Sequence, residues 1–428
     1  MSKEINKLIP ELRFPEFVNE GEWKVDLLGE LVDIKGRIGY RGYTTADIVK
    51  KGEGAITLSP SNFDENGSLN FEKCTYISWE KYEESPEIML EEGQTVLVKT
   101  ASVGKTAYVQ KLPVKATVNP QIVVLKPKKI QNRFLAYTIS HQNIQNQIKN
   151  CVGAGAIPNL SQESISKFVV LTPPDKEKQE QQKIASCLSS LDKVIATHSE
   201  KLELLKDHKK GLMQNLFPQE GEKVPKYRFP EFKNDGKWLE NRLDLITDKI
   251  GDGIHTTPIY DVSGEYYFIN GNNLIDGKIY IYDKTKKVSS EEYEKHKKEL
   301  NDSTILLSIN GTIGNVSYYN SEKVILGKSA CYINTSKKLN RTFLFYYLQT
   351  DEIKSYFDLE LTGSTIKNLS LKSIRETIIN LPSDKEQQKL AECLSALDGL
   401  INAQTEKIEQ LKLHKKGLLQ GLFPKMFD

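Results

Sequence analysis

The sequence lacks most of what would mark a secreted scaffold, a membrane protein or an enzyme. Its five cysteines (Cys74, Cys151, Cys187, Cys331 and Cys393) are odd in number and never fall in CxxC spacing, which argues against both a disulfide framework and a zinc site. Cys187 and Cys393 occupy equivalent places in helical patterns, where a small apolar filler is expected. The six histidines form no HExxH or other close metal spacing, so no metal site is expected. No apolar run approaches the roughly 20 residues of a membrane helix. The opening MSKEINKLIPELRF has no apolar stretch of the secretory kind, so a reducing cytoplasm is expected. With 38% hydrophobic and 27% charged residues, 428 residues suffice for two or more domains, each with its own core.

Acidic residues are also missing, locally. None occurs between Glu92 and Glu163, a stretch that holds Lys99, Lys105, Lys111, Lys115, Lys126, Lys128, Lys129, Arg133 and Lys149. Residues 303–350 repeat this more weakly, with only Glu322 against Lys323, Lys328, Lys337, Lys338 and Arg341. The net charge is only +2, so it is the segregation that points to a polyanionic partner.

Catalytic motifs fail one by one. Gly104-Lys105-Thr106 resembles the end of a phosphate-binding loop, but Lys99 stands where the pattern needs glycine. Asn119-Pro120-Gln121 lacks the second proline and aromatic of an amino-methyltransferase motif, and no glycine-rich cofactor loop precedes it. Pro174-Asp175 with Glu177 and Lys178 mimics a nuclease signature at what reads as a helix start, where capping explains it better. No catalysis by this chain is expected.

What is present is a duplication. Residues 183–218 return at 389–424 with identity at 22 of 36 positions, and RFPEF at 13–17 followed by Trp23 returns at 228–232 followed by Trp238. Between these anchors the copies diverge, but LVKTASVGKTAYV (97–109) echoes LSINGTIGNVSYY (307–319), and Asn159-Leu-Ser echoes Asn368-Leu-Ser. Where the second copy has INGTIG the first reads only ASVGKT, so equal contact roles for the two loops are not assumed.

The duplicated segments read as long amphipathic helices. Apolar residues at 4-3-4-3 spacing form a coiled-coil seam through Ile184, Leu188, Leu191, Ile195, Leu202 and Leu205, matched by Leu390, Leu394, Leu397, Ile401, Ile408 and Leu411. His198 and Gln404 interrupt the seam at equivalent places; antiparallel pairing would make them a register-setting pair. Acids at Asp175 and Asp384 suit helix starts, and Lys-Lys-Gly with Leu-Phe-Pro suits helix ends. The regions between look mixed. Strands are expected at Thr95-Val-Leu-Val, Gln121-Ile-Val-Val-Leu, Ile305-Leu-Leu-Ser-Ile and Thr377-Ile-Ile-Asn-Leu, and short helices at 132–149 and 341–357.

Recognition chemistry remains. Glycine-rich turns carry Arg37, Tyr40, Arg41 and Tyr43 in the first copy and His255, Thr256 and Asn272 in the second. With Lys99, Ser102, Lys105, Asn310, Thr312, Lys328 and Lys367 they are the candidate DNA-binding residues. Arg and Lys suit guanine edges or phosphates, and Asn suits adenine.

The order of these features, with GDGIHTTP (251–258), INGTIG (309–314) and NLS-x-x-S-I (159–165 and 368–374), resembles the specificity subunit of type I restriction-modification systems over essentially the whole chain. The resemblance implies an α+β chain with two mixed α/β target recognition domains in a pseudo-two-fold arrangement, separated by two long antiparallel coiled-coil helices. The expected boundaries are 1–172, 173–218, 219–380 and 381–428. It implies double-stranded DNA, two methyltransferase subunits and two restriction/translocase subunits as partners, with no membrane. The chain itself would carry no cofactor; S-adenosylmethionine, ATP and Mg would belong to those partners. A helix over 184–216, at about 1.5 Å per residue, spans roughly 50 Å, between one and two turns of B-DNA. The alternative reading is a two-fold coiled-coil adaptor without a DNA role.

Overall fold

The apolar runs Thr95–Val98 and Ile122–Pro127 form strands whose alternate side chains are buried on both faces, so they read as continuous rather than alternating hydrophobic sequence. The computed structural model describes residues 8–64, 67–152, 158–174, 178–363 and 367–426. The chain divides into two compact units, residues 1–198 with 407–428, and residues 199–406.

In the first unit an antiparallel sheet runs in the order Val32–Gly36, Ile122–Pro127, Thr95–Val98, Thr106–Tyr108. A second sheet runs Ile48–Val49, Thr75–Ser78, Gly54–Leu58, Ala116–Val118, the last pair being parallel. Val96, Val98, Ile122 and Val124 pack with Ile56, Leu58 and Val118 of the second sheet. The intervening Leu97, Val123 and Leu125 face the other way, onto Phe134, Leu135, Ile184 and Leu188. A ribbon of Lys24–Leu27 with Val169–Thr172 completes the unit.

The second unit repeats this plan with different residues. Its main sheet runs Thr247–Asp252, Ala330–Thr335, Thr304–Ser308, Val316–Tyr318. Tyr266–Ile269 lies parallel to Val324–Leu326 and antiparallel to Lys287–Val288, and Leu239–Arg242 pairs with Ile378–Leu381. The four strands expected from sequence are all present.

Each expected short helix is two helices. Asn132–Ser140 is followed by Gln142–Cys151, and Arg341–Tyr347 by Asp351–Leu359. Polar caps make the breaks: the His141 ring accepts from the Asn143 N–H, and the Thr350 side chain from the Ile353 N–H.

The long helices are Gln179–Leu216 and Asp384–Gly421. Asp384 opens the second as expected, whereas Asp175 and Glu177 lie outside the described residues. Both helices continue past Lys-Lys-Gly, so those lysines do not cap helix ends. Within the first unit, Ile184 and Leu188 near the start of one helix pack with Leu418, Leu422 and Phe423 near the end of the other, and Lys415 pairs with Asp192. Within the second, Leu212 and Leu216 pack with Leu390 and Leu394, and Lys209 pairs with Asp398. In both units rising residue number on one helix meets falling number on the other, so the pairing is antiparallel. The seam residues Ile184, Leu188, Ile195, Leu390, Leu394, Leu397, Gln404 and Ile408 are buried, and Leu191, His198, Leu202, Leu205, Ile401 and Leu411 are half-buried. No helix among the described residues is long and apolar enough to cross a membrane.

Candidate nucleic-acid interface

The parallel strand pairs end side by side, and their turns gather the candidate residues. In the second unit Tyr266–Ile269 runs into the 3₁₀ turn Gly271–Asn273, closed by the Asn270 N–H donating to Asn273 Oδ1 at 2.9 Å. Val324–Leu326 runs into Gly327, Lys328 and Ser329, and the Gly327 N–H donates to Ile269 O at 2.8 Å. The Ser329 carbonyl accepts from the Ile309 N–H, which starts the hairpin loop 309–315. Leu369 N–H donates to Ile309 O, and Asn310 is bridged to Asn368. Ile254 N–H donates to Leu326 O, tying in the loop that carries His255 and Thr256.

Seven residues scattered between 255 and 367 are thereby brought to one edge. His255, Thr256, Asn272, Thr312, Lys328 and Lys367 are exposed there and Asn310 is half-buried. His255 Nε2 lies 2.8 Å from Asp252 Oδ2, which fixes the ring beside Gly253. Gly253 is required: a Cβ there would lie 2.1 Å from Leu326 O.

The first unit repeats this frame except at the equivalent of Leu326 O, where Val118 O accepts from the Arg37 side chain instead of a backbone N–H. Ser59 N–H donates to Asn62 Oδ1 (2.9 Å), Asn119 N–H to Leu58 O (2.9 Å), Lys99 N–H to Gln121 O (2.8 Å) and Leu160 N–H to Lys99 O (2.8 Å). Thr100 is bridged to Asn159, its hydroxyl donating to Asn159 Oδ1 at 2.8 Å. The two hairpins match at the backbone. Ala101 and Gly311 are both left-handed (φ 64° and 73°), as are Gly104 and Gly314 (95° and 87°). TASVGK (100–105) and NGTIGN (310–315) therefore build the same loop, with Ser102 and Lys105 exposed on the first.

The glycine-rich turn of the first unit is less available than its sequence implies. Arg37 is buried, donating from Nε to Val118 O (3.1 Å), from Nη1 to Arg41 O (3.2 Å) and from Nη2 to Thr117 Oγ1 (3.4 Å). Burial lowers its pKa. This guanidinium braces the edge from inside; its donors do not face solvent. Arg41 donates to Glu84 O and pairs with Glu87, and Tyr43 packs against a small core with Ala55, Ile77 and Tyr82. The Tyr40 side chain lies outside the described set. Sequence reasoning missed Ser59, Ser61, Asn119 and Gln121. Asn119-Pro120-Gln121, read as a failed catalytic motif, is the turn that joins the two sheets here, with Asn119 Oδ1 accepting from the Gln121 N–H.

The duplicated motifs hold this frame on the helices. Glu180 and Glu386 accept from Arg13 and Arg228 of the RFPEF segments. Gln181 and Gln387 accept from the N–H groups of Gln131 and Asn340, which open the next helices. Among the described residues no cluster of three His, Cys, Asp or Glu side chains could hold a metal ion.

Solved structures share the architecture. The S subunit of a type I restriction-modification system from M. genitalium superposes with a TM-score of 0.59 at 15% identity, covering 98% of this chain and 100% of that one. A chain from a structure concerned with complex assembly and conformational transition of a type I system gives 0.56 at 17% identity, over 94% and 97%. Among curated sequences, a specificity subunit of Methanocaldococcus jannaschii named for the MjaX type I restriction enzyme is 26% identical over 333 residues, 75% of this chain and 74% of the relative. The MjaVIII specificity subunit of the same organism is 24% identical over 309 residues, 69% and 70%. The type I restriction modification DNA specificity domain matches residues 20–207 and again 249–413, once in each copy of the duplication. Two matched segments spanning well over half of the chain, on the fold such subunits share, establish that it belongs to the type I restriction-modification specificity family.

Proposed function

We propose that the chain is the non-catalytic, sequence-reading subunit of its system, each unit recognising one half of a bipartite, asymmetric double-stranded DNA site. The observation that carries this reading is one frame of turns built twice with different outward side chains. A shared frame suits a common partner, and different side chains suit different bases. The exposed Lys105, Lys328 and Lys367 at these edges suit DNA phosphates and favour this reading over an adaptor without a DNA role.

The two long helices would carry two methyltransferase subunits and, through the assembled complex, two restriction/translocase subunits. S-adenosylmethionine, ATP and Mg would be bound by those partners. Helix length would set the spacing of the half-sites: four residues inserted within 184–216 add roughly 6 Å and shift the accepted spacer by one or two base pairs.

The deciding experiment replaces residues 24–172 with the matching segment of another specificity subunit and maps methylated adenines genome-wide. One half-site should change and the other stay. Change in both halves, or in neither while methylation persists, would refute the division of labour.

A further inference from the structure

Only one side chain of the turn at residues 270–273 is exposed. Asn270 supplies its amide oxygen to Ser329 Oγ (3.0 Å), and the same Ser329 Oγ accepts from the Gly271 N–H (2.9 Å). Asn273 is buried, its Oδ1 closing the turn and its Nδ2 donating to Tyr280 O at 2.8 Å. Gly271 has no room for a side chain, since a Cβ would sit 2.9 Å from Ser308 Cβ and from Ser329 O. Asn272 alone is exposed, and no described residue partners its amide.

From this geometry we infer that Asn272 determines specificity, reading one base pair of the second unit's half-site as adenine. The inference rests on the DNA-reading function proposed above. A carboxamide offers one acceptor and two donors, which match the N6 amino group and N7 of adenine in the major groove two bonds at a time. Such readout is favoured by a rigid backbone mount, because ordering a mobile loop on binding costs affinity. The three locked neighbours provide that mount. Exposed Lys328, next to Ser329 in the adjoining turn, is placed to hold a phosphate.

The first unit supports the assignment by contrast. Its turn at 59–62 has the same closure but carries Ser61 in the outward place, and the hydroxyls of Ser59 and Ser61 are bonded to each other at 2.8 Å. A hydroxyl accommodates several base edges where a carboxamide selects one. The same frame thus puts different questions to the two half-sites.

The test uses the full-length chain co-purified with the methyltransferase subunit of its own system. A pool of duplex DNA with a randomised core is sequenced before and after binding. With Asn272→Ala, and equally with Asn272→Ser, preference for adenine at a single position should fall about tenfold while all other positions keep theirs. Lys328→Ala should instead weaken all sequences alike and flatten the salt dependence. Uniform loss across sequences in both Asn272 variants, or an unchanged preference in them, would overturn the assignment and leave the general function standing. If either variant unfolds below the wild-type temperature, Asn272 is a structural residue and the assignment also fails. Wild-type complex that enriches no sequence at all would instead defeat the DNA-reading function itself.

Discussion

Arg228 grips Glu386 through two parallel bonds, Nε to Oε1 at 2.7 Å and Nη2 to Oε2 at 2.6 Å, with both side chains almost fully buried. The Trp238 indole N–H donates to the same carboxylate at 3.3 Å. Side-chain bonding to Glu386 raises the Arg228 pKa further. Arg13 and Glu180 repeat the fork in the first unit at 2.8 Å for both bonds. Removing one partner strands a buried charge, so Glu386→Ala should destabilise the second unit by about 3–5 kcal/mol, whereas joint replacement of Arg228 and Glu386 by apolar residues should recover most of that loss. Thermal unfolding of the full chain measures both. Additive losses in the double variant would refute the pairing.

Each long helix also carries an aspartate that joins a tyrosine of its own unit to a lysine of the opposite helix. Tyr346 Oη donates to Asp398 Oδ2 at 2.7 Å, and Lys209 reaches the other oxygen at 2.6 Å while lying over the Tyr346 ring. Tyr137, Asp192 and Lys415 repeat the arrangement. Burial, reinforced by the carboxylate, pushes both tyrosine hydroxyls well above their ordinary pKa, so they remain donors. Asp398→Asn should cost about 1–3 kcal/mol, because the tyrosine loses a charged acceptor. Lys209→Met should cost under about 1 kcal/mol, because its partner is partly solvated. Urea titration of the two variants should rank them in that order.

The same residues show what a sequence alone reveals here. The duplication, the seam and the buried strands were legible because they rest on period and identity, which need no knowledge of distant neighbours. Asp192 and Asp398 were invisible as anchors because their lysines lie on another helix, and those lysines looked like helix caps. Arg37 read as a surface contact because a glycine-rich turn shows nothing of which way its side chains face. The convergence of His255, Asn272, Thr312, Lys328 and Lys367 depends on strand ends meeting across the parallel pair Tyr266–Ile269 and Val324–Leu326, a pairing with no local signal.

His141 makes the first unit acid-sensitive. Its ring is buried, stacked 4.9 Å from Phe423, and its Nδ1 accepts the Asn143 N–H at 3.2 Å, which requires the neutral form. Burial lowers its pKa from 6.5 to about 4. The unfolded chain therefore takes up this proton first, so the contribution is complete above about pH 6.5 and is lost as pH falls toward 4. The loss is about 1.4 kcal/mol per pH unit within that window, about 3.5 kcal/mol in total. His141→Asn keeps a capping acceptor without the titration. Stability measured from pH 7 to pH 4.5 should fall less steeply in that variant. Parallel curves would show that His141 does not govern the acid limb.

Ala101 holds a backbone conformation that its equivalent, Gly311, adopts without a side chain to accommodate. For an alanine the left-handed region costs about 1–2 kcal/mol, part of which is offset because glycine gives up more freedom on folding. Ala101→Gly should therefore raise stability by up to about 1 kcal/mol, visible as a higher unfolding midpoint in urea. It should leave the hairpin unchanged, since Gly104 and Gly314 already match across the two units. The reciprocal Gly311→Ala should lower stability by a similar amount, again without altering the loop. A stabilising Gly311→Ala would show that the two hairpins do not share one backbone, and with it the case for a common frame presenting different side chains would fail.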